Sequence, residues 1–127
     1  MNEPISDPRV FFAAERTLLA WLRTGLTIMV FGFVIARFGM FIQLLSMEKA
    51  GPQVQSHILI SSIFGTLIVI AGSLLVLLSA LHHKRFVASL PERDVPEVYS
   101  GQFAVLTCCL IATLGILLAV YLAVTTF

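Results

Sequence analysis

The chain has 127 residues, of which 58% are hydrophobic and only 12% charged, with a mean hydropathy of +0.98. There is too little polar side chain here to coat a small soluble globule, so the composition excludes a water-soluble domain and implies an integral membrane protein. A net charge of +1 by itself says nothing about partners; the information lies in where the few charges stand, and no nucleic-acid partner is expected.

The N-terminus opens with Asn2, Glu3 and Asp7 rather than a basic stretch. The apolar run behind it is too long for a signal h-region, so the first helix is expected to be retained. Asp7-Pro8 reads as a helix start, with Asp at the cap and Pro at the first helical position. No breaker follows until about Leu44. That is ~37 residues or ~55 Å, longer than a bilayer requires. The first predicted span is 18–44, and the turns before it must protrude into the cytoplasm or lie on the surface. Val10, Phe11, Phe12, Leu18 and Leu19 interleave with Arg9, Glu15 and Arg16 as in an interfacial helix, and Trp21 suits the headgroup level.

Ala50-Gly51-Pro52 separates this helix from a second span at 58–81. A polar loop from Leu90 to Ser100 follows, with Pro91, Pro96 and the acids Glu92, Asp94 and Glu97. The third span is 103–126. Each span reaches the ~20 apolar residues that cross a membrane, and none alternates with the period of a barrel strand. The expected fold is all-α: one integral membrane three-helix bundle whose long first helix carries a cytoplasmic or interfacial N-terminal extension.

Basic residues set the expected orientation. Arg9 and Arg16 flank the first span, and Lys84, Arg85 and Arg93 lie between the second and third. Between the first and second stands only Lys49. The positive-inside rule places the N-terminus in the cytoplasm and the C-terminus outside.

Small residues mark the packing faces. Gly25, Gly32 and Gly39 recur every seven residues, about 200° around the helix from Arg23. Gly65, Gly72 and Ser79 repeat the spacing in the second helix, and Cys108, Ala112, Gly115, Ala119 and Ala123 form a stripe in the third. Membrane helices pack through such residues because lipid supplies no hydrophobic drive for association. Cys108 and Cys109, adjacent on one helix, point to different faces; they read as packing residues, with no disulfide between them and no metal ligands nearby.

The opposite face carries Arg9, Arg16, Arg23 and Arg37, all at multiples of seven. Charge within a bilayer usually marks a pathway or a paired site. Arg23 and Arg37 are each ~10 Å from the midplane if Val30 is central, so their side chains can also snorkel to headgroups. The spans of helices two and three offer no carboxylate to pair with them. Several copies around an axis would turn each arginine into a ring of positive charge ~10.5 Å from the next, with Val30 as an apolar constriction. Three helices cannot enclose a pore, so such a pathway implies a cyclic homo-oligomer.

Glu15 points ~100° from Arg16 and pairs poorly with it on one helix, so it is either a solvated charge or an intersubunit partner of Arg16. His82, His83, Lys84 and Arg85 form a basic cluster that suits anionic headgroups. No paired carboxylates, workable Cys/His pair, phosphate loop or metal motif is present, so neither an enzyme nor a cofactor is expected.

Phe12, Ala14, Glu15, Arg16, Thr17, Leu19 and Trp21, within the stretch from Asp7 to Thr24, carry a resemblance. The chain resembles the YidH-type small bacterial inner-membrane proteins, a domain of unknown function. It is also similar to the small transmembrane subunit of the yeast vacuolar transporter chaperone complex, which passes polyphosphate through a ring of such domains. The resemblance implies that Glu15 and Arg16 are the motif's acid–base pair and that Arg9, Arg85 and Arg93 stand at basic positions. Arg23 departs from it, standing where the yeast subunit has a neutral polar residue, and Arg37 has no counterpart. The expectation is an inner-membrane homo-oligomer with an arginine-lined pathway for anions or polyanions such as polyphosphate. The alternative is a non-conducting accessory or scaffold whose arginines hold anionic lipids.

Overall fold

A computed structural model describes residues 8–46, 51–90 and 102–126. They form α1 (Arg9–Ser46), α2 (Pro52–Ser89) and α3 (Gln102–Thr126). All three are long and apolar enough to cross a membrane, and the chain is a multi-pass membrane protein of three-helix-bundle type.

Both α1 and α2 run 38 residues, or ~57 Å, nearly twice the thickness of a hydrocarbon core. For α2 this exceeds the span read from hydropathy, because hydropathy marks where lipid ends and not where the helix does. Pro52 occupies its first turn, where a missing N–H leaves no bond unmade, after an extended Gly51 with φ −64° and ψ 164°. At the other end it runs through His82–Arg85 and stops at an extended Leu90, whose N–H donates to the Val87 carbonyl at 3.2 Å. The Phe12 N–H donates to the Pro8 carbonyl at 3.2 Å; Asp7, expected as the cap, lies outside the described residues.

The N-terminal turns of α1 belong to the same unbroken helix as the span. Within those turns Phe11 is fully buried and Leu18 nearly so. The extended end of α2 supplies the companion surface: Val10, Leu18, His83 and Phe86 line one shared cavity. The two ends pack on each other there.

α1 and α2 pack antiparallel through their glycines. A Cβ on Gly32 would stand 2.7 Å from the Gly65 carbonyl oxygen, and one on Gly72 would stand 2.9 Å from that of Gly25. Gly39 lies against Ile58. Backbones this close exclude any side chain, the geometry expected where dispersion and not water expulsion drives association.

α3 docks on α2 with Cys108, Ala112, Gly115, Ala119 and Leu122 buried. The steps are four, three, four, three, so the buried face ends on Leu122, and Ala123 is only half-buried. Ser73 in α2 donates to the Ala112 carbonyl at 2.7 Å, and the Ser62 and Thr126 hydroxyls bond at 2.5 Å. A Cβ on Gly115 would lie 2.8 Å from Met29 Sδ and 3.0 Å from Ser73 Oγ, so all three helices converge there. Cys108 is buried, Cys109 half-buried, and both thiols are free.

Candidate functional site

The glycine seam fixes what the rest of α1 faces. With Gly25 and Gly32 turned onto α2, the residues two positions earlier, Arg23 and Val30, point away from it. Arg9, Arg16 and Arg23 are exposed, and Val30 is 60% exposed. Arg23, Thr27, Val30 and Val34 line a shallow groove of about 590 Å³ on this outer face.

The stripe does not behave as one unit. Arg37, which shares its register, is half-buried and reaches α3. Its Nη2 donates to Thr125 Oγ1 at 2.8 Å, and its Cζ lies 5.3 Å from the Tyr121 ring centroid. The spans of helices two and three offered Arg37 no carboxylate, and it has none among the described residues. A hydroxyl and the negative face of an aromatic ring stand in, giving a cation–π contact of the kind that gains strength away from water. Arg37 is therefore a fastener between α1 and α3.

Arg16 and Arg23 are different. Among the described residues neither guanidinium has a hydrogen-bond or ion-pair partner. The neighbouring hydroxyls are already committed: Thr17, Thr24 and Thr27 donate to the carbonyls of Ala13, Ala20 and Arg23 at 3.0, 3.0 and 2.8 Å. Such back-bonding uses each threonine's proton within its own helix. The Arg16 and Arg23 guanidiniums on the outer face of α1 are left unmet among the described residues.

The basic cluster also divides. Lys84 and Arg85 are exposed, His83 is 6% exposed, and Arg93 lies outside the described residues. His83 is no headgroup anchor: it continues the buried line Ser62, Val69, Val76 at steps of seven. Glu15, half-buried, lies within electrostatic range of it across the seam. Sequence reading grouped His83 with its charged neighbours and Glu15 with Arg16. The seven-residue registers, which align Glu15 with Leu22 and Met29 and His83 with Val76, were the signal that separates them.

The family described as a domain of unknown function, DUF202, matches residues 9–89. The chain belongs to the DUF202 family. No curated protein and no solved structure matches it. The match begins with α1 and ends with α2, so the DUF202 unit is the glycine-packed hairpin together with its overhanging ends. α3 lies beyond the matched residues. Arg9, Arg16, Arg23, Arg37, Glu15 and His83 all fall within the DUF202 segment, whereas Tyr121 and Thr125, which hold Arg37, do not.

Proposed function

We propose that this DUF202 protein is a YidH-type inner-membrane protein that assembles as a cyclic homo-oligomer around an anion or polyanion pathway. The N-terminus is cytoplasmic and the C-terminus outside, following the basic residues that flank the first span and end α2. Arg16 and Arg23 line the pathway, Arg9 stands at its cytoplasmic entrance and Val30 forms the apolar constriction. Arg37 takes part as the fastener that holds α3 behind the lining helix. The protein has no catalytic role in this reading. The likeness to the yeast vacuolar transporter chaperone subunit supports a phosphate polymer as the anion.

One observation carries the reading. Arg16 and Arg23 face away from the α1–α2 seam, exposed and without a side-chain partner among the described residues. A guanidinium at membrane depth requires water, an anion or a partner, and copies of α1 around an axis would provide a hydrated space for it.

The deciding experiment reconstitutes the protein in liposomes and nanodiscs, with anion flux and polyphosphate retention measured for wild type, Arg23→Ala and Arg23→Lys. The expected result is a stable oligomer in all three, with flux or retention reduced at least about tenfold in Arg23→Ala and largely kept in Arg23→Lys; a tenfold change corresponds to ~1.4 kcal/mol. A monomer in bilayers, or an oligomer density map with Arg23 pointing at lipid, overturns the pathway and leaves the lipid-anchored scaffold.

A further inference from the structure

His57 and His82 are exposed, but His83 is enclosed: it is 6% exposed, and its Nε2 is sealed and lacks a hydrogen-bond partner. A buried polar atom left unmet is destabilising, whereas an apolar residue in the same register would not be. The surroundings are specific. From α1, the Ala14 carbonyl approaches the ring and the Glu15 carboxylate lies within electrostatic range. Arg16, one residue on, is exposed on the outer face. From α2 itself, Lys84 shares a cavity of about 470 Å³ with His83, while the exposed His82 has its Nδ1 3.2 Å from the Leu78 carbonyl. From α3, uncharged Gln102 and the Cys109 thiol line that same cavity. Among the described residues, Glu15 is thus the carboxylate within electrostatic range of the ring.

We propose that His83 and Glu15 form a proton site that fastens the overhanging ends of α1 and α2 in a pH-dependent way. The step is a single proton transfer: a proton from cytoplasmic water adds to the neutral imidazole, which becomes imidazolium, and no other bond forms or breaks. The charge cannot stay in a dry seam unless the carboxylate closes on it or water enters. Either response alters the contact between the α1 turns at Phe11–Leu18 and the α2 turns at Ala80–Phe86. Burial pushes the His83 imidazole below its ordinary value, against the opposing pull of the Glu15 carboxylate and the Ala14 carbonyl, so the fastening responds toward the acid side of the range of about pH 5 to 8 in which histidine changes charge. This site is independent of the pathway, since neither residue lies on the outer face of α1.

Trp21 is the only tryptophan and lines the cavity of about 390 Å³ that His83 and His82 also line. Its fluorescence in the full-length protein in nanodiscs, titrated between about pH 5 and 8, is therefore a built-in reporter. We expect one sigmoidal step that persists in His82→Gln and vanishes in His83→Gln. In Glu15→Gln the step should move to lower pH, because the imidazolium loses its anionic partner. Loss of the step in His82→Gln, or its survival in His83→Gln, overturns the proposal; an unmoved midpoint in Glu15→Gln removes Glu15 from it. Should His83→Gln fail to fold, the ¹⁵N resonances of the wild-type histidine rings decide, and a His83 signal flat across the range overturns the site. Hydrogen exchange at the two ends of the pH range tests the fastening itself. Protection of 11–18 and 80–86 should differ in wild type after correction for intrinsic rates, and equal protection overturns the mechanical part.

Discussion

Gly32 and Gly65 stand back to back at the centre of the α1–α2 seam. A Cβ added to Gly32 meets the Gly65 carbonyl at 2.7 Å, and one added to Gly65 meets the Gly32 carbonyl at 2.5 Å. Because the obstacle is backbone, no rotamer change relieves it. Gly65→Ala should therefore force the helices apart and destabilise the hairpin by about 1–3 kcal/mol, the usual range for overpacking. Steric-trapping or detergent-denaturation measurements on the reconstituted protein will read this. Gly51→Ala is the control: a Cβ there meets nothing within 4 Å and should change stability by less than about 0.5 kcal/mol.

Arg37 and Tyr121 should be energetically coupled. A double-mutant cycle with Arg37→Met and Tyr121→Leu is expected to give an interaction of about 0.5–2 kcal/mol. Arg37→Lys should keep part of the cation–π term but lose the directed bond to Thr125, since the ammonium is a point charge without the guanidinium fork. Stability of α3 docking, followed by crosslinking between α1 and α3, is the readout; strict additivity would show that the contact fastens nothing.

Ser73→Ala should cost little. The Ala112 carbonyl that accepts from Ser73 is inside α3 and keeps its own helical bond, so truncation strands no polar group. The expected loss is ~0.6 kcal/mol, the typical value for a hydrogen bond between membrane helices. Ser73→Leu should be far worse, because the extra volume meets Gly115, whose added Cβ alone would already lie 3.0 Å from Ser73 Oγ. Denaturation midpoints of the two variants will separate lost bonding from overpacking.

Phe11 is 0% exposed, on the overhanging part of α1. If that part stands in water, its burial is driven by the hydrophobic effect, and Phe11→Ala should cost about 3–5 kcal/mol. The loss should be local: hydrogen exchange should rise in 9–18 and 80–89 and stay unchanged around Gly32 and Gly65. Loss of protection along the whole seam would mean that the overhang and the span unfold together.

The outcome for particular residues shows where sequence reading works. Gly25 and Gly32 were legible as a packing face because a period of seven with no side chain has one mechanical use in lipid. The outward turn of Arg23 followed from that same period by rotation alone. Arg37 was not legible: its partners Thr125 and Tyr121 lie more than eighty residues away, on a helix that the period of α1 says nothing about. His83 was misplaced because its neighbours Lys84 and Arg85 suggested a surface, whereas burial in a helix is decided by residues three, four and seven away.

By itself the sequence determined the solvent of this protein and the shape of its elements. A chain this apolar has to lie in lipid, and there runs of ~20 apolar residues without the alternation of a barrel strand have to be helical. The tertiary structure alone decided which charges remain free and which are enclosed. Arg23 and Arg37 share one face and one chemistry, but their fates differ because α3 passes beside one and not the other. That is a property of helix docking, set by contacts such as Ser73 with Ala112 and Gly115 with Met29, and no local pattern in α1 encodes it.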